Sequence, residues 1–127
     1  MFEKLELIRM AQSLAAQSGA RMAVIAENVA NADTPGYKAK DLPSFAEVYA
    51  DEPGQMRATR PGHLTAGSEA AAARPERARG HESPNGNSVS LEAEMVKSVE
   101  ARQNHDMALA IYRATSDVIR ASLGRPR

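Results

Sequence analysis

A chain of 127 residues has room for one domain, and its 16 basic and 16 acidic residues cancel, which removes any bulk electrostatic attraction to nucleic acid or membrane surfaces. The absence of cysteine excludes disulfides and thiolate metal sites, and three tyrosines with two phenylalanines are too few aromatic residues for a large compact core. The start of the chain lacks a basic segment followed by an apolar run, so no cleaved secretory signal is predicted.

The first predicted element is a long helix over residues 1–33. Medium and small apolar residues lie on one helical stripe, at Ile8, Ala15, Met22, Ile25 and Val29. A single amphipathic helix on an ordinary core would show a similar stripe. Leu7 and Leu14 lie off it, however, which favours a helix that packs against several neighbours.

A turn is predicted where this helix stops. Pro35 biases Thr34 away from the helical conformation, so the helix should end at or before that residue. Pro35 and Gly36 suit the two central positions of a type II turn, and Asn31 is the predicted helix cap. Tyr37 then follows, with its ring able to pack back on the helix end.

Residues 34–89 are predicted to be this turn followed by a flexible polar arm. Between residues 50 and 88, Met56 and Leu64 are the only apolar side chains larger than alanine or proline, among four prolines and five glycines. Such a segment buries too little area to offset its ordering entropy, so it is predicted to be irregular and largely disordered in the free chain. The alanine-rich and arginine-rich stretch 70–80 favours a short helix that Pro75 interrupts.

A second long helix is predicted within residues 90–127, ending in a short basic tail. Ser90 is the predicted N-cap, and Glu92 and Glu94 in the first turn complement the helix dipole. Gly124 and Pro126 are predicted to stop the helix. Its apolar seam residues are Met95, Val99, Met107, Ile111 and Val118.

The predicted fold is therefore mainly α, with two long terminal helices packed as an antiparallel, coiled-coil-like pair. One shared seam of small and medium side chains leaves the outer faces of both helices uncovered. We expect such a chain to be marginally stable alone and to depend on neighbouring subunits or partners.

Catalytic and ligand-binding patterns are weak. His105-Asp106 is similar to the metal-binding pair of phosphohydrolases, but no second histidine cluster accompanies it. No phosphate loop, nucleophile elbow or dinucleotide fingerprint is present. The prediction is a non-enzyme without catalytic or metal-binding residues, cofactor, small-molecule substrate or nucleic-acid partner.

A binding-module interpretation stays open beside this one. Residues 57–81 hold five arginines against Glu69 and Glu76, a local positive patch without the aromatic residues that base stacking needs. A helical adaptor or secretion chaperone is thus the alternative function. A stable, cooperatively melting dimer would favour it.

The segment NVANADTPGYK, residues 28–38, resembles the N-terminal signature of the bacterial flagellar rod, hook and hook-associated axial proteins. The shortness of the chain and the continuation to Phe45 most resemble subunits of the proximal rod. Weaker matches lie at Ala58-Thr59 and His63-Leu64 in the middle, and at Asn85-Gly86-Asn87, Val89, Leu91 and Glu94-Met95 before and within the last helix.

The resemblance implies a structural subunit that forms the proximal rod of the motor drive shaft by helical polymerisation. It implies export without cleavage through the flagellar type III apparatus to a periplasmic rod, peripheral to the membrane. The implied partners are other rod subunits, the adaptor FliE, the ring protein FliF and the export gate. The expected assembly motif, which would fix where each subunit leaves the inner helix layer, is Asn28, Asn31, Thr34, Pro35, Gly36 and Tyr37.

Overall fold

A computed structural model describes residues 2–50, 74–78 and 82–124 of the chain. The elements in chain order are α1 (Phe2–Ala30), β1 (Lys40–Asp41), α2 (Phe45–Ala50), β2 (Glu76–Arg77) and α3 (Leu91–Ser122). The predicted mainly helical architecture is confirmed. Two long helices of 29 and 32 residues dominate the described part of the chain.

The end of α1 follows the local signals in the sequence. The helix ends at Ala30, before the restricted Thr34-Pro35 step. The Glu27 carbonyl accepts hydrogen bonds from both the Nδ2 of Asn31 at 2.8 Å and the Asn31 N–H at 3.2 Å, so this asparagine closes the last turn of the helix as its predicted cap.

The limits of α3 also follow local signals. Ser90 has extended backbone angles, and its hydroxyl accepts a hydrogen bond from the Ala93 N–H at 3.3 Å, which confirms the predicted N-cap. At the other end Gly124 takes a φ of +82°, the left-handed conformation that terminates helices. Pro126 lies outside the described residues.

The two long helices pack side by side in opposite directions. Asn28, near the end of α1, bonds Glu94 near the start of α3, whereas Arg21, earlier in α1, pairs with Glu100, later in α3. Buried positions recur every seven residues in both helices, at Ala11, Ser18 and Ile25 of α1 and at Glu94, Ala101, Ala108 and Thr115 of α3, and α1 also buries Val24 and Asn28 beside this row. These positions are the inner faces. Their period is that of a left-handed coiled-coil seam, and their small side chains permit close approach of the helix axes.

Short elements from the middle of the chain lie beside the helix pair. β1 and β2 pair antiparallel, with Lys40 opposite Arg77 and Asp41 opposite Glu76. Residues 74–78 therefore contain a two-residue strand and no helix. The rest of the 70–80 stretch, and most of the segment predicted to be disordered, lie outside the described residues.

α2 was not predicted, although the sequence carries its signal. Ser44 and Glu47 form a capping box in which the Glu47 carboxylate accepts from the Ser44 N–H at 2.8 Å and the Ser44 hydroxyl accepts from the Glu47 N–H at 3.4 Å.

Candidate assembly site

The region where the end of α1, residues 34–42 and residues 82–97 meet is called the junction below. Its exposed tip is the turn at Thr34-Pro35-Gly36-Tyr37. The Tyr37 N–H donates to the Thr34 carbonyl at 3.2 Å, and Gly36 has a φ of +74°. These are the hydrogen bond and the third-position φ of a type II turn, so the predicted turn is confirmed.

Asn87 clamps this turn onto the end of α1. Its side chain is buried, and its Nδ2 lies 3.0, 2.8 and 2.8 Å from the carbonyl oxygens of Asn31, Ala32 and Thr34. The two amide hydrogens are shared among these three acceptors. One side chain, 56 positions away from Asn31, thus bonds three carbonyls of the segment that follows α1.

The backbone around Asn87 pairs directly with the turn. The Gly36 N–H donates to the Asn85 carbonyl at 3.1 Å, and the Ser88 N–H donates to the Tyr37 carbonyl at 3.0 Å. A Cβ at Gly86, where φ is +80°, would lie 3.4 Å from the Gly36 Cα. The sequence matches at Asn85-Gly86-Asn87 therefore belong to the same site as the Thr-Pro-Gly-Tyr turn.

Asn28 is fully buried and joins three parts of the junction. Its Nδ2 donates to the Lys40 carbonyl at 2.7 Å and to Glu94 at 3.0 Å, and its Oδ1 accepts from the Lys40 N–H at 3.0 Å. Its amide is thus satisfied by this chain's own backbone and by α3. Replacing it would leave buried polar groups without partners.

A chain of charged side chains continues from Glu94 across the helix pair. Lys97 lies 3.0 Å from the buried Glu94 carboxylate and 3.1 Å from Asp41, and Arg21 lies 3.3 Å from Asp41. Burial alone would raise the pKa of Asp41, but hydrogen bonds from Lys97 and the Leu42 N–H, with the charges of Lys97 and Arg21, hold that pKa below its usual value. The same contacts with Glu94 and Asp41 overcome burial and raise the pKa of Lys97.

Tyr37 returns to the end of α1, as its position after the turn predicted. Its hydroxyl donates to Glu27 at 3.3 Å, and Glu27 pairs with Lys40 at 2.6 Å. Burial, followed by the Glu27 charge, raises the pKa of Tyr37. Within the predicted assembly motif, Asn28 is buried, Asn31 and Tyr37 are half-buried, and Thr34, Pro35 and Gly36 are exposed.

The predicted seam residues lie in two different environments. Ile25 is buried, and Ile8, Ala15, Met22 and Ile111 are half-buried. By contrast, much of the side chain is exposed at Val29, Met95, Val99, Met107 and Val118. The exposed members are free to meet another chain, and their role as a subunit seam stays a prediction.

Many of the exposed apolar residues of α3 lie in a row on the side opposite its inner face, with the exposed residues Asp106 and Asp117 among them. Val96 and Val99 are 69% and 67% exposed, and Met107 and Val118 are both 49% exposed. The row, which we call the outer face of α3, consists of Met95, Val96, Val99, Gln103, Met107, Ala110, Ala114, Val118 and Ala121. Ala110 follows the buried Ala101 by nine residues, which is about two and a half helical turns, so the two faces point in opposite directions.

The exposed side of α1 has a different character. Between Arg9 and Glu27, every exposed position of this helix is uncharged. We call these residues, with Leu5 and Ala30 at the ends, the outer face of α1; between those ends they are Gln12, Ala16, Ala20, Ala23 and Ala26. Because the exposed side chains are uncharged and most of them are alanine, another helix can approach this surface closely.

The residues of enzymatic interest do not converge. The Nδ1 of half-buried His105 lies 3.9 Å from Asp106 on the same helix. Among the described residues, no group of three or more His, Asp or Glu side chains is placed to hold a metal ion. None of the described helices combines the length and apolarity needed to cross a membrane.

An extended helix pair, a locked turn at one end and long uncovered helix faces define a structural protein that associates through its helices. Comparison with known proteins agrees. A family profile described as "Flagella basal body rod protein" matches residues 8–38. The flagellar basal body rod protein FlgB of Agrobacterium fabrum (strain C58 / ATCC 33970) is 31% identical over 118 residues, covering 88% of each chain. The chain belongs to the flagellar basal body rod protein family, whose members are structural components of the flagellum and not enzymes.

Proposed function

We propose that this chain is a subunit of the proximal rod and that it polymerises helically with other rod proteins to form part of the motor drive shaft. The observation that carries the proposal is the pair of uncovered outer faces on α1 and α3. Large exposed apolar surfaces on a protein mark places where other proteins bind. A rod subunit has neighbours on several sides and would cover both faces.

The junction supports a specific role in this assembly. The turn at Thr34-Pro35-Gly36 is held by Asn87 and by backbone pairing, so its position relative to α1 is fixed within each subunit. In a helical tube, every copy must leave the inner helix layer at the same radius. Because the hydrogen-bonded turn has a fixed position relative to α1, every copy would leave the helix layer at the same point.

The proposed location is the periplasmic part of the basal body, reached through the flagellar type III apparatus without removal of a signal peptide. The proposed partners are other rod subunits, the adaptor FliE, the ring protein FliF and, during export, the export gate. The positions expected to make these contacts are the exposed seam residues and the exposed tip of the assembly motif.

A gene-deletion strain tests the function. We expect loss of motility, restoration by the full-length chain, and recovery of the chain with uncleaved mass in purified basal bodies. Complementation with Pro35→Ala or Gly36→Val tests the turn, and we expect poor rod assembly from both. A motile deletion strain, or a chain that stays entirely in the cytoplasm, would rule out the rod function.

The adaptor alternative predicts a different result with the purified chain. An adaptor or chaperone should form a stable dimer that melts cooperatively without other flagellar proteins. A rod subunit should have low and labile helicity alone and gain helicity on polymerisation. Thermal melting followed by circular dichroism, with the oligomeric state measured by sedimentation, separates the two functions.

A further inference from the structure

We propose that the outer face of α3 in one copy packs against the outer face of α1 in the next copy, so that the contact is heterologous and repeats. The inference rests on the proposed rod function, since it assigns the faces that meet in the polymer. It names one occupant for the outer face of α3, a second copy of this chain.

The outer face of α3 requires a partner of helical shape. Its residues follow at intervals of three and four, and Val96, Met107 and Val118 are separated by eleven. An eleven-residue period keeps a row of side chains nearly parallel to the axis of a helix that is straight or has a slight right-handed supercoil. The exposed valine and methionine side chains project from this row as knobs that a neighbouring helix can receive.

The outer face of α1 matches this row in side-chain size and in length. Alanines at 16, 20, 23 and 26 leave space for the larger valine and methionine side chains and let the helix axes approach. No charged group lies between Arg9 and Glu27 on this exposed surface, so covering this central part desolvates no ion, whereas a contact along the full face also reaches the exposed residues Arg9 and Glu27. Each face spans roughly 25 residues and is therefore about 40 Å long.

Buried area favours a heterologous contact over a symmetric dimer. A face about 40 Å long and about 10 Å wide contributes about 400 Å², so one helix-on-helix contact buries about 800 Å² in total. A stable specific interface needs about 1,200 Å² or more. A symmetric contact between two α3 faces would bury only about 800 Å² in total and would leave both α1 faces uncovered.

Repetition of the heterologous contact uses both faces of every copy. Each internal copy then takes part in two contacts and buries about 800 Å² of its own surface, twice what a symmetric dimer would bury. Each contact alone, at about 800 Å², is below the size of a stable binary interface, so the contacts accumulate only in a polymer. Copies related by rotation and translation along one axis keep their helix directions. α3 would therefore run antiparallel to the neighbour's α1, as it does to α1 of its own chain, and the same contact can propagate as a ring or filament.

Cysteine cross-linking tests the pairing directly, because the natural chain contains no cysteine. Ala110→Cys and Ala20→Cys are placed in two differently tagged full-length chains and expressed together in the deletion strain. Ala16→Cys and Ala23→Cys replace Ala20→Cys in parallel strains to sample axial offsets of about one helical turn. Ala93→Cys, at an exposed alanine of α3 away from the row, is the matched control for Ala110→Cys.

The expected result is a mixed-tag disulfide dimer in purified basal bodies. It should form between Ala110→Cys and at least one of the α1 cysteines, with a yield at least tenfold above that of the control. When the cells swim and both chains are present in the basal body, three results would overturn the proposal. These are the absence of any cross-link, cross-links between Ala110→Cys copies only, and a cross-linked product that contains a different protein. Absence of the chain from basal bodies, or motility of the deletion strain, would instead remove the rod function and this inference with it.

Discussion

Replacement of glycine by alanine is expected to have opposite effects at Gly36 and Gly19. A Cβ at either position meets nothing within 4 Å, so the difference is conformational. Gly36 has a φ of +74°, where an alanine costs about 1–2 kcal/mol. Gly19 lies inside α1, where alanine gains about 1 kcal/mol. Urea unfolding followed by circular dichroism measures both free energies of unfolding, with a stabilising osmolyte present because the free chain is marginally stable, and shifts of the same sign would contradict the turn geometry.

Asn87 is the residue on which the end of α1 depends most. Asn87→Ala removes three part-buried hydrogen bonds. The Asn31 and Thr34 carbonyls keep the N–H groups of Thr34 and Tyr37 as donors, whereas the Ala32 carbonyl loses its donor, and we expect a loss of about 1–3 kcal/mol in the free energy of unfolding. Asn87→Asp should be worse, because a carboxylate would face those same carbonyl oxygens. Asn104→Ala, at a half-buried asparagine of α3 away from the junction, is the control. An Asn87→Ala chain as stable as this control would show that the clamp has no energetic role.

At the scale of the helix, inner and outer faces should respond differently to the same change. Ala108 is 0% exposed at the contact with α1, so Ala108→Leu overpacks the pair and should destabilise it by about 1–3 kcal/mol. Ala110 is exposed, and Ala110→Leu should change stability by less than about 0.5 kcal/mol. If the outer face is a subunit contact, however, Ala110→Leu should reduce motility. Equal effects on stability would contradict the assignment of the faces.

The ion pairs across the helix pair predict an acid-sensitive junction. The lowered pKa of Asp41 means that its ionised form stabilises the folded chain at neutral pH. This contribution is present above the ordinary aspartate pKa, about 4, and is lost as pH falls through the lower folded value. Asp41→Asn should lower stability at pH 7 and reduce the slope of stability against pH in acid.

Urea unfolding between about pH 3 and 7 measures the acid slope of the natural chain and of Asp41→Asn. An Asp41→Asn chain with the unaltered acid slope would show that Asp41 does not contribute to the acid sensitivity.

The elements were predictable where their signals are local. Ser90, Gly124 and the Pro35-Gly36 step each specify a helix end or a turn through their own backbone and neighbours, and the structure confirms them. α2 carried an equally local signal in Ser44 and Glu47. Such features can be predicted from the local sequence, because a helix cap or a turn depends on residues that are only a few positions apart.

The faces of the helices were harder to predict. The inner face of α3 contains Ala101, Ala108 and buried Glu94, whereas larger apolar residues such as Val99 lie exposed. Hydrophobic periodicity places large apolar residues inward, and a buried glutamate becomes plausible only once its partner is known. That partner, Asn28, lies 66 positions away in sequence. The clamp by Asn87 was missed for the same reason.

For the whole molecule, the described residues form a helix pair with one covered side. The junction is held by buried hydrogen bonds and ion pairs, and the rest of the pair by a seam of small residues. Small inner residues bring the helices close but bury little apolar area, so most of the available apolar surface of α3 faces outward. We expect neighbouring subunits to cover this outward-facing apolar surface, in agreement with the chain's membership of a rod protein family.

Hydrogen–deuterium exchange tests this central claim most directly, with the purified chain compared with the same chain in isolated basal bodies. Exchange reports local opening of each helix. In the free chain we predict protection concentrated at the junction and rapid exchange over the rest of α1 and α3. In basal bodies we predict strong protection along both helices. Slow exchange throughout both helices of the free chain, unchanged on assembly, would contradict the account.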